Sequence, residues 1–276
     1  MKGCERSKDF DWRYDLEEEE FVYRIISMAG AVHLWDGTNL TYADLLRDNP
    51  HRAYVIAIEY RTLTVVDRFK SLNILDRMLA YDGFPIKTVE GSIFRDQWIR
   101  IILDVLLSRL TSIRDCCFLF AAEIYGLGIE PRNVNLGSLK RHVRDKGVVD
   151  VLIKIADTAR NIRDERDRHL HRGEERTLSG ELDQFFHLVA RSEGGNAEYP
   201  KLGFFDPEEG TQPVEINLPE MHSKIISDIR TEYHQEGDRL IALTRELFVV
   251  AEPEFERRWT KKRESGKLIR SWELPN

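Results

Sequence analysis

The stretch from Ser92 to Tyr125 limits the fold more than any other part of the chain. Ile99, Leu103, Leu106, Leu110, Ile113, Cys117 and Phe120 recur at three- and four-residue steps, with further apolar residues beside them. A helix that is apolar around most of its surface belongs at the centre of a domain. The other elements must then pack around it.

Those elements carry the same period. Phe21, Ile25, Met28, Ala29, Val32 and Trp35 predict a helix over 16–35, stopped by Asp36-Gly37-Thr38-Asn39. Thr41-Tyr42-Ala43-Asp44 reads as the cap and first turn of a short helix ending near Asn49-Pro50. Residues 53–81 open with β-branched side chains, but their length and the spacing of Phe69, Leu72, Leu75 and Leu79 favour a helix. A short helix is expected over 139–144 and a long one over 148–171, striped by Val149, Leu152, Ile155, Ala156, Ala159 and Ile162. Further helices are expected over 178–190 and 219–250, the last stopped by Pro253. The fold class is therefore all-α, a bundle of long antiparallel helices. Gly194, Gly195, Pro200, Gly203, Pro207, Gly210 and Pro213 mark a short irregular or hairpin-containing insertion near 192–218. The expected organisation is N-terminal helices over 1–91, a helical bundle over 92–250 and a basic polar tail over 251–276.

Charge and composition narrow the function classes. The 276 residues carry a formal net charge of −7, which argues against a broadly basic nucleic-acid binder but leaves room for a local basic patch. No apolar run approaches about 18 residues, and Met1-Lys2-Gly3-Cys4-Glu5-Arg6 lacks the apolar core of a secretory signal. No membrane partner is expected, and the expected location is cytoplasmic. Of the 3 cysteines, Cys116 and Cys117 are adjacent and read as small core residues rather than a disulfide or zinc pair. No phosphate-binding loop, dinucleotide fingerprint or nucleophile elbow occurs, and no cofactor and no metal are expected.

The segment dense in chemistry is Arg160-Asn161-Ile162-Arg163-Asp164-Glu165-Arg166-Asp167-Arg168-His169-Leu170-His171-Arg172-Gly173. The apolar stripe nearly ends at Ile162, with only Leu170 beyond, while arginines, carboxylates and two histidines crowd in. As a plain helix end this is a solvated face, with cations suited to the helix C-terminus and arginine–carboxylate pairs at three- and four-residue spacing. His169 and His171 stand two apart and face different ways on a helix, which disfavours a metal pair.

The order Arg166, Asp167, then His171 beside Gly173 resembles the motif of the HEPN superfamily: Arg, four to six residues, His, often with Asn, Asp or His directly after the Arg. Arg163 and His169 fit the same spacing as a reserve pair. The resemblance covers about 92–190 and implies a helical bundle with metal-independent endoribonuclease activity. Arg166 and His171 would be catalytic and Asp167 supporting. It also implies a homodimer that brings two motifs together, an RNA substrate, and a toxin–antitoxin or antiviral-defence setting with an antitoxin or regulatory partner. The chemistry suits the residues. Histidine moves protons near neutral pH, and arginine stays charged and fits phosphate as a planar fork.

Two other readings stand beside this one. The acidic balance fits a non-catalytic helical interaction module, since a fold does not fix a function. The basic end of the chain holds Trp259 and Trp272, a pair suited to stacking on RNA bases. His142, with Arg141 and Arg144, reads as a surface cluster, and His33 as an interior or boundary residue.

Overall fold

A computed structural model describes residues 13–35, 42–81, 83, 86–87, 92–93, 95–172 and 218–267. The helix expected over 178–190, the insertion up to residue 217, and Trp272 lie outside these residues. The described fold is all-α. Its helices are α1 (Glu20–Trp35), α2 (Tyr42–Asp48), α3 (Pro50–Leu79), α4 (Arg95–Ile124), α5 (Leu136–His142), α6 (Lys146–Arg172) and α7 (Leu218–Lys267). A 3-10 turn at Pro131–Asn133 precedes α5, and two short strands, β1 (Ile86–Lys87) and β2 (Ser92–Ile93), precede α4.

Helical burial overrides strand propensity in α3. Ile58, Thr62, Val65, Phe69 and Leu72 recur at helical steps and are all buried. A β-branched start is tolerated because packing on one face outweighs a few tenths of a kcal/mol of propensity per residue. Pro50 opens the helix, where its missing N–H removes no internal hydrogen bond.

Four boundaries correct the reading from sequence. The central helix begins at Arg95 rather than Ser92, because Ser92 and Ile93 pair antiparallel with Lys87 and Ile86. The short helix starts at Leu136 rather than Leu139. Asn135 caps it by accepting from the Ser138 N–H at 2.9 Å, while its own N–H donates to the Ser138 hydroxyl at 2.9 Å. It ends at His142 because Val143 turns extended and buries its side chain. The last correction is the largest. Pro253 does not end α7, which continues to Lys267, so most of the expected basic tail is helix. Leu247, Phe248, Ala251 and Phe255 keep the apolar stripe running through the proline. The carbonyl that loses its donor belongs to Val249, an exposed residue that water can reach.

The described chain forms two compact units. One contains Met1–Asn73, Arg109–Asn161 and Gly237–Asn276; the other contains Ile74–Ser108 and Ile162–Glu236. In the first unit the core is an aromatic cluster. Phe21 stacks on Phe248 at 5.5 Å, Phe120 meets Phe248 edge-on at 5.2 Å, and Phe255 stacks on Tyr54 at 5.7 Å. These rings come from α1, α3, α4 and α7, so one cluster ties four helices. The Tyr54 hydroxyl donates to the Ile124 carbonyl at 2.9 Å, serving the end of α4. Just beyond, Leu127 N–H reaches the Ala122 carbonyl and Gly126 N–H the Glu123 carbonyl. This is a Schellman end that needs the positive φ of Gly126. Cys116 and Cys117 are buried, as expected. Burial pushes the Cys117 thiol up to about 12, which keeps it inert at neutral pH. The second unit packs Leu75, Leu79, Ile102, Leu103, Ile226, Ile229 and Tyr233, and the Trp98 indole donates to the Met78 carbonyl at 2.7 Å.

Gly237 sits inside α7 for a packing reason. Tyr14 is buried against this point of the helix, and a Cβ on Gly237 would overlap its ring and hydroxyl. Tyr14 cannot easily yield, because Asn73 accepts from its N–H at 3.0 Å and donates to its carbonyl at 3.1 Å. On an open helix face Gly→Ala gains about 1 kcal/mol. Here Gly237→Ala is predicted to lose about 1–3 kcal/mol through overpacking. Urea unfolding checks this, and a raised midpoint would contradict it.

Candidate functional site

The motif segment lies on α6, whose amphipathic stripe explains its position. Val148, Val151, Leu152, Ile155, Ala159 and Ile162 are buried along one face. Ile162 is the last buried residue on α6 among those described. Beyond it ion pairs link the described side chains of Arg163, Arg166 and Asp167. Arg166 donates to Asp167 Oδ1 from Nε at 3.0 Å and from Nη2 at 2.6 Å. Arg163, one turn before Asp167, brings its Nε to 3.5 Å from the other carboxylate oxygen. Two guanidiniums thus share one carboxylate, and the trio is net positive. Arg166 is half-buried while Arg163 is exposed, so Arg166 has the less hydrated charge.

The helix continues through His169 and His171 to Arg172. Their side chains lie outside the described residues. Along the backbone of α6, His171 follows Asp167 by four residues and His169 follows Arg166 by three. The structure joins Arg163, Arg166 and Asp167 in one ion-paired cluster and sets both histidines on the same helix end. Cations there also suit the negative end of the helix dipole.

A second polar cluster, missed from sequence, lies in the unit containing Ile74–Ser108 and Ile162–Glu236. Asp76 on α3 accepts from Arg230 Nε at 2.8 Å and Nη2 at 2.9 Å, and from His234 Nε2 at 2.8 Å. A carboxylate only accepts, so Nε2 carries the hydrogen. Burial works against the charge on Asp76, but the hydrogen bonds from Arg230 and His234 outweigh it and hold the carboxyl below its ordinary range. Arg230 and His234 line a cavity of about 420 Å³ with Ser223, Ser227 and Thr231. Asp76 and Arg230 are 154 residues apart, so no local motif links them. The available signal was narrow: an Arg and a His four residues apart, beside the apolar stripe of Ile226, Ile229 and Tyr233.

The remaining sequence candidates are simply placed. His142 is exposed, and its Nδ1 lies 2.7 Å from the Ser138 carbonyl at the end of α5. His33 is not interior: its side chain is 63% exposed and pairs with Glu59 at 3.5 Å. Trp259 lies on α7 with the Arg263 guanidinium 5.3 Å above its ring. Among the described residues no group of three His, Cys, Asp or Glu gathers to hold a metal, and no helix is long and apolar enough to cross a membrane.

Asp76 gives a test with a defined sign. Its folded-state pKa lies below the unfolded value of about 3.9. Its stabilisation is therefore complete above that value and is lost as pH falls through the lower folded value. Asp76→Asn is predicted to cost about 1–3 kcal/mol at pH 7 and to flatten the loss of stability below about pH 4. Urea midpoints at pH 7, 4 and 3 for both proteins check this; parallel curves would contradict it.

No family model, no curated protein and no solved structure matches this chain.

Proposed function

We propose that the chain is a metal-independent endoribonuclease of HEPN type that works from the end of α6 as a homodimer. The observation that carries this reading is the ion-paired cluster of Arg163, Arg166 and Asp167, with His171 one turn further along the same helix.

In the reaction the ribose 2′-oxygen attacks the adjacent phosphorus as its proton passes to a base. The bond from phosphorus to the 5′-oxygen breaks, and that oxygen takes a proton from an acid. The products are a 2′,3′-cyclic phosphate and a free 5′-hydroxyl. His171 serves as a proton-transfer group, since imidazole accepts and donates near neutral pH. Arg166 faces the charge that develops on the phosphate oxygens. Before RNA binds, Asp167 holds the Arg166 guanidinium in place and is the helix neighbour of His171. A single His171 cannot act as base and acid in the same step, and in this reading a two-fold dimer supplies the second. An antitoxin or regulatory protein that covers this helix end would silence it.

Cleavage of RNA in EDTA tests the reading. Wild type should cut, and folded His171→Ala and Arg166→Ala should each lose at least about a hundredfold in rate, the lower range for removing a proton-transfer group or a charge stabiliser. Loss in His169→Ala and Arg163→Ala, with His171→Ala unaffected, would move the site to the reserve pair. Full activity in all four variants would remove the α6 site. No cleavage by wild type, together with reproducible capture of one protein partner, would favour the interaction module.

A further inference from the structure

The compact unit built around the aromatic cluster contains a cavity of about 380 Å³, a size suited to a small ligand. Met28, Ala31 and Val32 of α1 and Val55 of α3 give it an apolar wall, and Trp259 of α7 adds an indole. His51 and Arg52, from the first turn of α3, and Arg263, one turn beyond Trp259, bring polar groups to it. Two arginines line the cavity, and no carboxylate does so among the described residues.

Three features make this more than a gap between helices. First, the His51 ring is held in the cavity wall with its Nδ1 closed off from solvent. Second, burial, followed by the charges of Arg52 and Arg263, lowers the pKa of His51. The ring therefore stays neutral at pH 7, free of the ordinary need for a carboxylate partner. Third, three acidic groups of the same helices have partners of their own. Glu252 and Glu256 of α7 pair with Arg24, and Glu59 of α3 pairs with His33. Arg263 itself stacks over Trp259, an arrangement that fixes a guanidinium without neutralising it.

We propose that this cavity binds a small organic acid with an apolar body. Arg263 and Arg52 attract its carboxylate, the neutral His51 ring lies against it, and the indole of Trp259 and the side chains of Met28, Val32 and Val55 cover its apolar part. The site is separate in residues and chemistry from the α6 cluster and does not depend on the nuclease reading.

Titration calorimetry and NMR of the histidine rings in the full chain test the proposal, with octanoate as probe. The signal of His51 is assigned by its loss in His51→Gln. Octanoate should bind and shift the His51 ring signals. Two partial probes, 1-octanol with the body but no charge and inorganic phosphate with charge but no body, should each bind at least tenfold more weakly. Arg263→Gln removes an exposed guanidinium and should fold normally; it should weaken octanoate at least tenfold. The proposal is overturned if octanoate does not bind, if octanol binds equally well, or if Arg263→Gln leaves affinity unchanged. Binding that leaves the His51 signals still would place the ligand elsewhere. Tighter binding of single-stranded oligouridylate than of octanoate, lost in Trp259→Ala, would assign the cavity to RNA instead.

Discussion

The packing of Phe21, Phe120, Phe248 and Phe255 is the constraint on which the aromatic-centred unit depends. Phe21 contacts the other three rings and Phe120 also meets Phe248, in stacked or edge-on geometry at 5.2–5.9 Å. Burying one such side chain contributes about 1.5–3 kcal/mol, and a well-placed aromatic pair adds about 0.5–1.5 kcal/mol. Pro253 inside a helix costs about 3 kcal/mol. Phe255, fully buried two residues later, offsets that cost because α7 must stay helical to seat the ring between Phe21 and Tyr54. The proline is tolerated because the helix on either side of it is anchored in one core.

The part of α7 beyond Pro253 owes its position to that anchor. Glu254, one residue on, draws Arg257 and Arg258 back onto the helix at 2.5–2.7 Å. A turn later Trp259 and Arg263 reach the cavity that also contains His51. A chain that stopped being helical at residue 253 would deliver neither group there. The basic residues of this region are thus placed by an apolar cluster, and an overall acidic protein gains a local site for an anion.

Helix existence was readable from the sequence wherever burial follows a 3.6-residue period. The α4 stripe is buried throughout; in α6 Leu152, Ile155, Ala159 and Ile162 are buried as expected, while Val148 and Val151 take the places expected of Val149 and Ala156, and α6 continues to the histidines as its spacing implied. The failures share a cause. Where a helix begins or ends depends on hydrogen bonds that periodicity does not encode, such as the Asn135–Ser138 exchange or the pairing of Ser92 and Ile93. Pro253 was read by its local effect, whereas Phe255 overrides it through contacts with α1 and α3. At the α6 end the sequence carried residue types and register, and the structure added which carboxylate holds which arginine. The Asp76 cluster and the His51 cavity were hidden because their members come from helices far apart in the chain. The Arg230–His234 spacing marks only one side of the first, and no spacing joins the segments of either.

Hydrogen exchange in Phe255→Ala tests this account most directly. Under conditions where the amides of α4 keep their protection, those of residues 256–263 are predicted to lose at least about tenfold in protection relative to wild type, because the proline then ends the helix. Undiminished protection of residues 256–263 in a folded Phe255→Ala protein would show that the aromatic cluster does not carry α7 past Pro253.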